Sequence, residues 1–529
     1  MNRVNQFKFI DRMCPNVLKE IKNFKKNVTN IPLFINGKEV YNQQSYTYEE
    51  QFCPYQKDTV VSRYTYASSS HIQSAIDGYQ NSKKILDNIG NNQLYDMFYK
   101  MADLVEGKYK DKLLASTIVG QGKNLYQAEI DAISELADFL RFNVDYKMSL
   151  NSEKLIQTMD ETNKQSWVPL KGFVASISPF NFTAIGGNLA TAPILMGNPV
   201  IWKPSDYSML SNYIFLQIML EANIPPEVIN FVPSNPRLFM DHIKSSKDLG
   251  GLVFTGHSNT FDTILKDIYS NVTHYNSYPR VVGETGGNNY HFVFPEYENI
   301  SWLVEACIRG AFEYSGQKCS ATNRIYIPKS LYRSFMSLMT DKLDTLRIDN
   351  PEKDSIFTSA VIHKQSYDTL TNVIKENKKK VIYGGKYNDE VGYYISPTIL
   401  KIDDLYDPIL NHEYFGPIVC LCVYPDDYLK ESLSACASTG KYNLTGSIFT
   451  NKIEQMRLAE KYLLNSVGNL YINDKSTGSV VGQQPFGGFG KSGTNDKAGS
   501  KYFLTRLGNN RIVKINNVNS INIIDDVNI

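Results

Sequence analysis

The sequence predicts an α/β protein built from two parallel sheets, each covered by helices. Three observations carry that prediction. From Lys171 onward, short β-rich apolar runs alternate with single helix-period segments. A second series of the same kind starts near Tyr290. The length, 529 residues, allows two or three domains with sizeable cores. Strands separated by single helices are joined by crossovers, and crossovers give parallel pairing with both sheet faces buried.

In the first series, Phe173 to Ile177 and Val200 to Lys203 read as strands, and Met209 to Ala222 as a helix. Ile229 to Val232 and Gly251 to Phe254 continue the strands. Gly286-Gly287 marks the boundary. The second series opens with the strand Tyr290 to Phe294, followed by a helix with Ile300, Leu303, Val304, Cys307, Ile308 and Ala311 on one face. Arg324 to Ile327, Pro417 to Tyr424, Gly446 to Thr450 and Gly468 to Ile472 are its further strands. Between Met148 and Pro169 the chain is polar and has no helical face. Two readings stand there: a hairpin that leaves the body to pair with another subunit, or a surface loop.

Composition excludes several classes of function. With 55 basic against 54 acidic side chains, the whole chain has no electrostatic reason to bind nucleic acid or an anionic membrane. Its longest apolar run, Ile418 to Tyr424, is far too short to span a bilayer, so no membrane insertion is expected. Seven cysteines, an odd number spread from Cys14 to Cys436, argue against a disulfide framework and for a reducing compartment. Cys420 and Cys422 share one face of an apolar strand and read as core. No pair has zinc-finger spacing, and His412-Glu413 lacks the second histidine of a zincin helix, so no metal site is expected. The N-terminus (Met1, Arg3, Lys8, Arg12) is mildly basic without a secretory core; Asp11 and the scarcity of serine weaken a mitochondrial presequence.

The segment Gly316-Gln317-Lys318-Cys319-Ser320 puts a thiol between a helix and a strand, where it can face a cleft. Buried cysteine as a small hydrophobe is the ordinary alternative. Gly488 to Gly493 matches GxGxxG letter for letter, yet it is not part of a βαβ unit and no acidic residue follows at ribose distance, so it reads as a glycine-rich turn. Four strand ends fit together better: Ser178-Pro179-Phe180-Asn181-Phe182, Trp202-Lys203-Pro204-Ser205, Phe254-Thr255-Gly256-His257-Ser258 and Glu284-Thr285-Gly286-Gly287. The first places an amide in a cleft. The third opens a helix whose N-terminus suits a pyrophosphate. In the fourth, glycines let backbone approach a ligand. Doubly wound sheets bind ligands at such carboxyl ends.

Taken together, Ser178 to Asn188, Phe312 to Ser320 and Tyr471 to Gly488 resemble the aldehyde dehydrogenase superfamily over most of the chain, from about Ile31 to Val513. The last stretch, with Gly120 to Lys123 and Gln127 to Asp131, is similar to the branch that oxidises L-glutamate 5-semialdehyde. The resemblance implies a Rossmann-like NAD-binding domain (1–150 and 168–285), an α/β catalytic domain (286–478), a small β oligomerisation flap and tail (151–167 and 506–529) and a substrate-anchor loop (479–505). It implies proline degradation, a mitochondrial matrix location with the cytoplasm as alternative, and a homodimer or higher homo-oligomer.

The resemblance also implies roles. Cys319 would be the nucleophile, Asn181 with the Cys319 backbone N–H the oxyanion donors, and Glu284 the general base. Ser178, Lys203 and the turn Gly256, His257, Ser258, Asn259 and Thr260 would hold NAD, with Glu413 on the nicotinamide ribose and Phe415 packed on the cofactor. Asp206 beside Lys203 would repel a 2′-phosphate, which favours NAD over NADP. Ser320, Gly478 and Ser479 would hold the substrate carboxylate, Phe182 and Phe486 its stem, and Glu135 its ammonium, unless Glu135 merely lies on a solvated helix face. Two departures stand out: His257 replaces the expected serine, and Asn288 an expected lysine. Another small acidic semialdehyde as substrate, or a non-catalytic binding protein on the same fold, are the competing readings.

Overall fold

The computed structural model describes residues 12–41 and 48–517. The basic residues up to position 11 and the tail beyond 517 lie outside the described residues.

The first seven-stranded sheet comprises β1 (Leu33–Ile35), β2 (Lys38–Val40), β3 (Phe173–Ile177), β4 (Val200–Lys203), β5 (Ile229–Phe231), β6 (Leu249–Thr255) and β7 (Arg280–Glu284), in the order β7-β6-β3-β4-β5-β1-β2. Pairing from β7 to β5 is parallel, and β1 joins antiparallel. The parallel strands are apolar at nearly every position because both faces are covered. Phe173 and Ala175 pack on one face and Val174 on the other. The second sheet has β8 (Asn289–Val293), β9 (Thr322–Pro328), β10 (Val381–Tyr383), β11 (Thr398–Ile402), β12 (Ile418–Tyr424), β13 (Thr445–Phe449) and β14 (Asn469–Ile472), in the order β10-β11-β12-β9-β8-β13-β14. Cys420 and Cys422 point into one of its cores, Val419 and Leu421 into the other. Period-two side chains and two helical layers explain that split.

Four helices position the site: α1 (Leu136–Ser152), α2 (Thr183–Leu195), α3 (Ser258–Ser270) and α4 (Ile300–Phe312). α1 runs to Ser152, into the segment that the sequence reads as flap. Beyond it, Glu161–Pro169 pairs antiparallel with Gly508–Asn516 over its full length. From Glu161 the segment is thus strand rather than loop, whereas 153–160 form neither helix nor strand. Its polar side chains are compatible with a two-stranded ribbon whose order comes from backbone pairing with a strand more than three hundred residues away. The ribbon and the stretch before it expose Ile156, Met159, Ile512 and Ile515.

Candidate active site

Ile177 pairs with Lys203 on one side and Phe254 on the other, and Thr255 pairs with Glu284. The carboxyl ends of four strands therefore share one rim. Strand order reverses between β3 and β6, which opens a crevice there. Ser178 and Asn181 follow β3, Lys203 ends β4, Gly256 follows β6 and Glu284 ends β7.

Cys319 reaches this rim from the other sheet, just before β9. Tyr314 (φ 52°), Ser315 (φ 52°) and Gly316 (φ 67°) are left-handed in succession and turn the chain out of α4. Side-chain-bearing residues resist that conformation, so the turn is held. Tyr314 Oη donates to the Gln121 carbonyl (2.9 Å), and Ser315 N–H to Thr358 Oγ1 (2.7 Å). A Cβ on Gly316 would lie 2.2 Å from the Gly416 carbonyl oxygen, so glycine is required.

The two glycines after Glu284 serve protein contacts rather than a ligand's approach. A Cβ on Gly286 would lie 1.8 Å from Glu413 Oε2, and one on Gly287 2.2 Å from the Cys319 carbonyl oxygen. Gly287 N–H donates to Glu413 Oε1 (2.9 Å), and Asn289 Nδ2 to the Cys319 carbonyl (2.7 Å). Asn181 Nδ2 donates to the Gln317 carbonyl (3.2 Å), two residues before the thiol. The turn dismissed as a dinucleotide motif packs here: Thr285 N–H donates to the Ser492 carbonyl (2.9 Å), and Glu284 bridges to Gly493.

A cavity of about 250 Å³ is lined by Glu135, Phe182, Glu284, Cys319, Ser479 and Phe486, with Ser320 and Gly478 beside them. Cys319 is only 8 % exposed. Burial pushes its thiol well above the ordinary range, and Glu284 and Glu413 push it further. Burial likewise raises Glu284 and Glu413 to about 8 each. Glu135 is raised to about 8 by burial and by Asp131. Glu135 is half-buried and lines the cavity, so it does not lie on a fully solvated helix face. Glu284 Oε1 is shielded yet has no hydrogen-bond partner among the described residues. Burial alone would raise Glu313, but Lys318 at 3.0 Å and Arg309 outweigh it and keep it ionised.

The anchor loop differs from expectation in one donor. Ser479 Oγ donates to the Gln484 carbonyl (2.6 Å) inside its own loop. That hydroxyl proton is occupied, because the tight loop needs an internal donor. Ser476 Oγ donates to the Ser320 carbonyl (2.9 Å), and Ser476 N–H to His291 Nε2 (3.0 Å). Accepting that N–H fixes the His291 tautomer, and burial pushes its pKa down to about 3.

Around the crevice, Lys203 is buried, and its Nζ has only a long contact with the Pro204 carbonyl (3.4 Å). Burial lowers it and Asp206 opposes that. Asp206 Oδ2 accepts from Tyr66 Oη (2.9 Å), and Ser178 Oγ from Trp202 Nε1 (2.9 Å). His257 caps α3 by accepting from Asn259 N–H at Nδ1 (3.2 Å), doing a serine's local work. Ser258 Oγ meets Tyr442 Oη (2.8 Å), while Asn259 and Thr260 lie exposed in the first turn. Phe415 (φ 50°) sets its ring edge-on to Phe180, 5.9 Å between centroids. Asn288 Nδ2 donates to the Leu410 carbonyl (2.6 Å), and its backbone carbonyl accepts from the Arg324 guanidinium (2.7 Å).

Sequence reasoning missed Lys497, which lines the cavity and draws Glu284 toward ionisation. It also missed the roles of Gln121, Lys123 and Asp131. Gln121, Lys123 and Asp131 lie in stretches that carried the resemblance, but their contacts are with segments distant in sequence, and Lys497 has no local pattern that marks it.

Known proteins are similar to this chain over most of its length. The human delta-1-pyrroline-5-carboxylate dehydrogenase, mitochondrial, is 40 % identical over 501 residues, 94 % of this chain and 88 % of the human one. That of Emericella nidulans is 42 % identical over 495 residues, 92 % of this chain and 86 % of the relative. The crystal structure of the Mycobacterium tuberculosis Delta-pyrroline-5-carboxylate dehydrogenase bound with NAD superposes with a TM-score of 0.91 at 34 % identity, covering 99 % of this chain and 98 % of that one. The Aldehyde dehydrogenase family profile matches residues 41–513, and the chain belongs to the aldehyde dehydrogenase family.

Proposed function

We propose that the chain oxidises L-glutamate 5-semialdehyde, formed from 1-pyrroline-5-carboxylate, to L-glutamate with NAD, as a step of proline degradation. The observation that carries this reading is that Cys319 and Glu284 line one cavity with Ser320, Gly478 and Ser479, while Asn181 donates to the Gln317 carbonyl two residues before the thiol. The relatives' names supply the substrate.

Cys319 Sγ gives up its proton to water and adds to the aldehyde carbon, giving a tetrahedral thiohemiacetal. Asn181 Nδ2 and the Cys319 N–H stabilise the developing oxyanion, each typically worth about 3 kcal/mol. Asn181 must turn part of its donor capacity from the Gln317 carbonyl to do so; the amide has two hydrogens. Glu284 then takes a proton from water, which attacks the thioester, releases the Cys319 thiol and leaves the carboxylate.

The residues at the crevice fit NAD. Lys203 is a buried cation with only a weak neutral contact. Asp206, held by Tyr66, suits ribose hydroxyls and opposes a 2′-phosphate. The start of α3 offers backbone N–H groups to phosphate. Glu413, which accepts from Gly287 N–H, suits the hydroxyls of the second ribose. NAD bound there would supply the acceptor for the hydride that leaves the thiohemiacetal carbon.

Freshly prepared pyrroline-5-carboxylate should give NADH faster than an aliphatic aldehyde of the same length without the α-carboxylate, and faster with NAD than with NADP. Ser479→Leu should raise KM for the semialdehyde by about tenfold or more while sparing kcat for the unsubstituted aldehyde. Equal rates for both aldehydes would overturn the substrate.

The exposed Ile156, Met159, Ile512 and Ile515 support a subunit contact through the ribbon. A homo-oligomer of at least two subunits is expected by light scattering, and Ile512→Lys with Ile515→Lys should shift it toward monomer. The mitochondrial relatives support a matrix location.

A further inference from the structure

We propose that Gln121 and Asp131 are positioning residues that set the Asn181 oxyanion donor, an inference that rests on the reading of Asn181 given above. α2 begins directly after Asn181-Phe182, and no side chain of its own caps it. Asp131 supplies the cap from another element. Its Oδ2 accepts from Thr183 N–H (3.0 Å) and its Oδ1 from Ala184 N–H (2.8 Å). Gln121 grips the other side of Asn181: its Nε2 donates to the Phe180 carbonyl (2.6 Å), and its Oε1 accepts from Thr183 Oγ1 (3.1 Å). The turn carrying the donor is therefore held at residues 180, 183 and 184 by two side chains from one segment.

The same segment reaches the nucleophile. The Gln121 carbonyl accepts from Tyr314 Oη (2.9 Å), at the start of the left-handed turn that leads to Cys319. Lys123 lies between the two halves. Its Nζ is 2.6 Å from Asp131 Oδ2, 4.1 Å from the Phe182 ring centroid and 4.7 Å from that of Tyr314. It supplies the counter-charge that lets a carboxylate accept two N–H groups away from water. Asp131 is 0 % exposed and Lys123 1 %. It sits in a π-helical turn, Glu129–Glu135, whose extra residue per turn re-aims side chains. The stretch from Gln121 to Asp131 thus registers the donor against the attacking sulfur, and a misplacement of about 1 Å in such a pair costs about a hundredfold in rate.

The test is a double-mutant cycle read on first-turnover NADH formation by the full-length enzyme. Asn181→Ala alone should slow it about 100-fold. Asp131→Asn should slow it about 30-fold and Gln121→Met about tenfold, with KM for the aldehyde changed less than about threefold. On the Asn181→Ala background, each should add less than about twofold, because a strut has nothing left to position. Alkylation of Cys319 by iodoacetamide should stay within about twofold of the parent in all variants, since it uses no oxyanion donor. Should Asp131→Asn leave Lys123 unpaired and fail to fold, Gln121→Met, which leaves no buried charge unpaired, carries the test. Full loss persisting on the Asn181→Ala background, or an effect confined to KM, overturns the strut and leaves the oxyanion reading intact. No loss in Asn181→Ala alone overturns both.

Discussion

Replacing Cys319 by alanine is expected to lower kcat by about 10⁴-fold or more, as removal of a nucleophile does elsewhere. No neighbouring thiol can take over. Cys53, Cys307, Cys420, Cys422 and Cys436 are buried in the cores, and Cys14 lies in the N-terminal segment. The structure adds a pH signature. Burial first, then Glu284 and Glu413, hold the ligand-free Cys319 thiol well above its ordinary range. Only the thiolate alkylates, so the rate of Cys319 alkylation should keep rising beyond pH 9 without a plateau. NADH production that survives Cys319→Ala would end the enzymatic reading altogether.

Glu284→Gln should separate the two halves of the reaction. Thiohemiacetal formation and the first molecule of NADH should survive within a few-fold, while steady-state turnover falls by about 10²- to 10⁴-fold, the usual worth of a general base. A thioester on Cys319 should accumulate and be visible as added mass. With Glu284 raised to about 8 by burial, against the pull of Lys497 and with the push of Asp496, roughly one carboxyl in ten is ionised at pH 7 in the ligand-free enzyme. Thioester hydrolysis should therefore climb about tenfold per pH unit below 8 and level off above it. In Glu284→Gln that limb should vanish; a retained limb would move the base elsewhere. The same shift bears on stability. A carboxyl whose folded pKa lies above its unfolded one stabilises fully below the unfolded value, and that contribution is lost as pH rises through about 8. Glu284→Gln should thus melt higher than the parent above pH 8, with the difference gone in acid.

The strand series around both sheets was readable because a fully buried parallel strand is a short apolar run between helix-period segments, and β4 has the expected ends. The rim residues Ser178, Lys203, Gly256 and Glu284 were readable for the same reason, since each closes a strand. Other features were not. Whether the 151–167 segment is ribbon or loop depends on its pairing with Gly508–Asn516, and nothing local encodes a partner that far away. Gly286 and Gly287 looked like room for a ligand, and the structure fills that room with Glu413 and the Cys319 carbonyl. Ser479 looked like a free donor, and its loop folds back so that Gln484 takes the proton.

By itself the sequence determined the α/β class and the family, and it singled out the sulfur, carboxylate and amide proposed for the centre, because these depend on local periodicity and on short motifs. Only the tertiary structure decided how charged that centre is and what aims it. Burial and distance set the raised carboxyls, and the grip of Gln121 and Asp131 on the Asn181 turn joins groups some fifty to sixty positions apart. Such terms belong to the space between segments, and a linear pattern carries no record of that space.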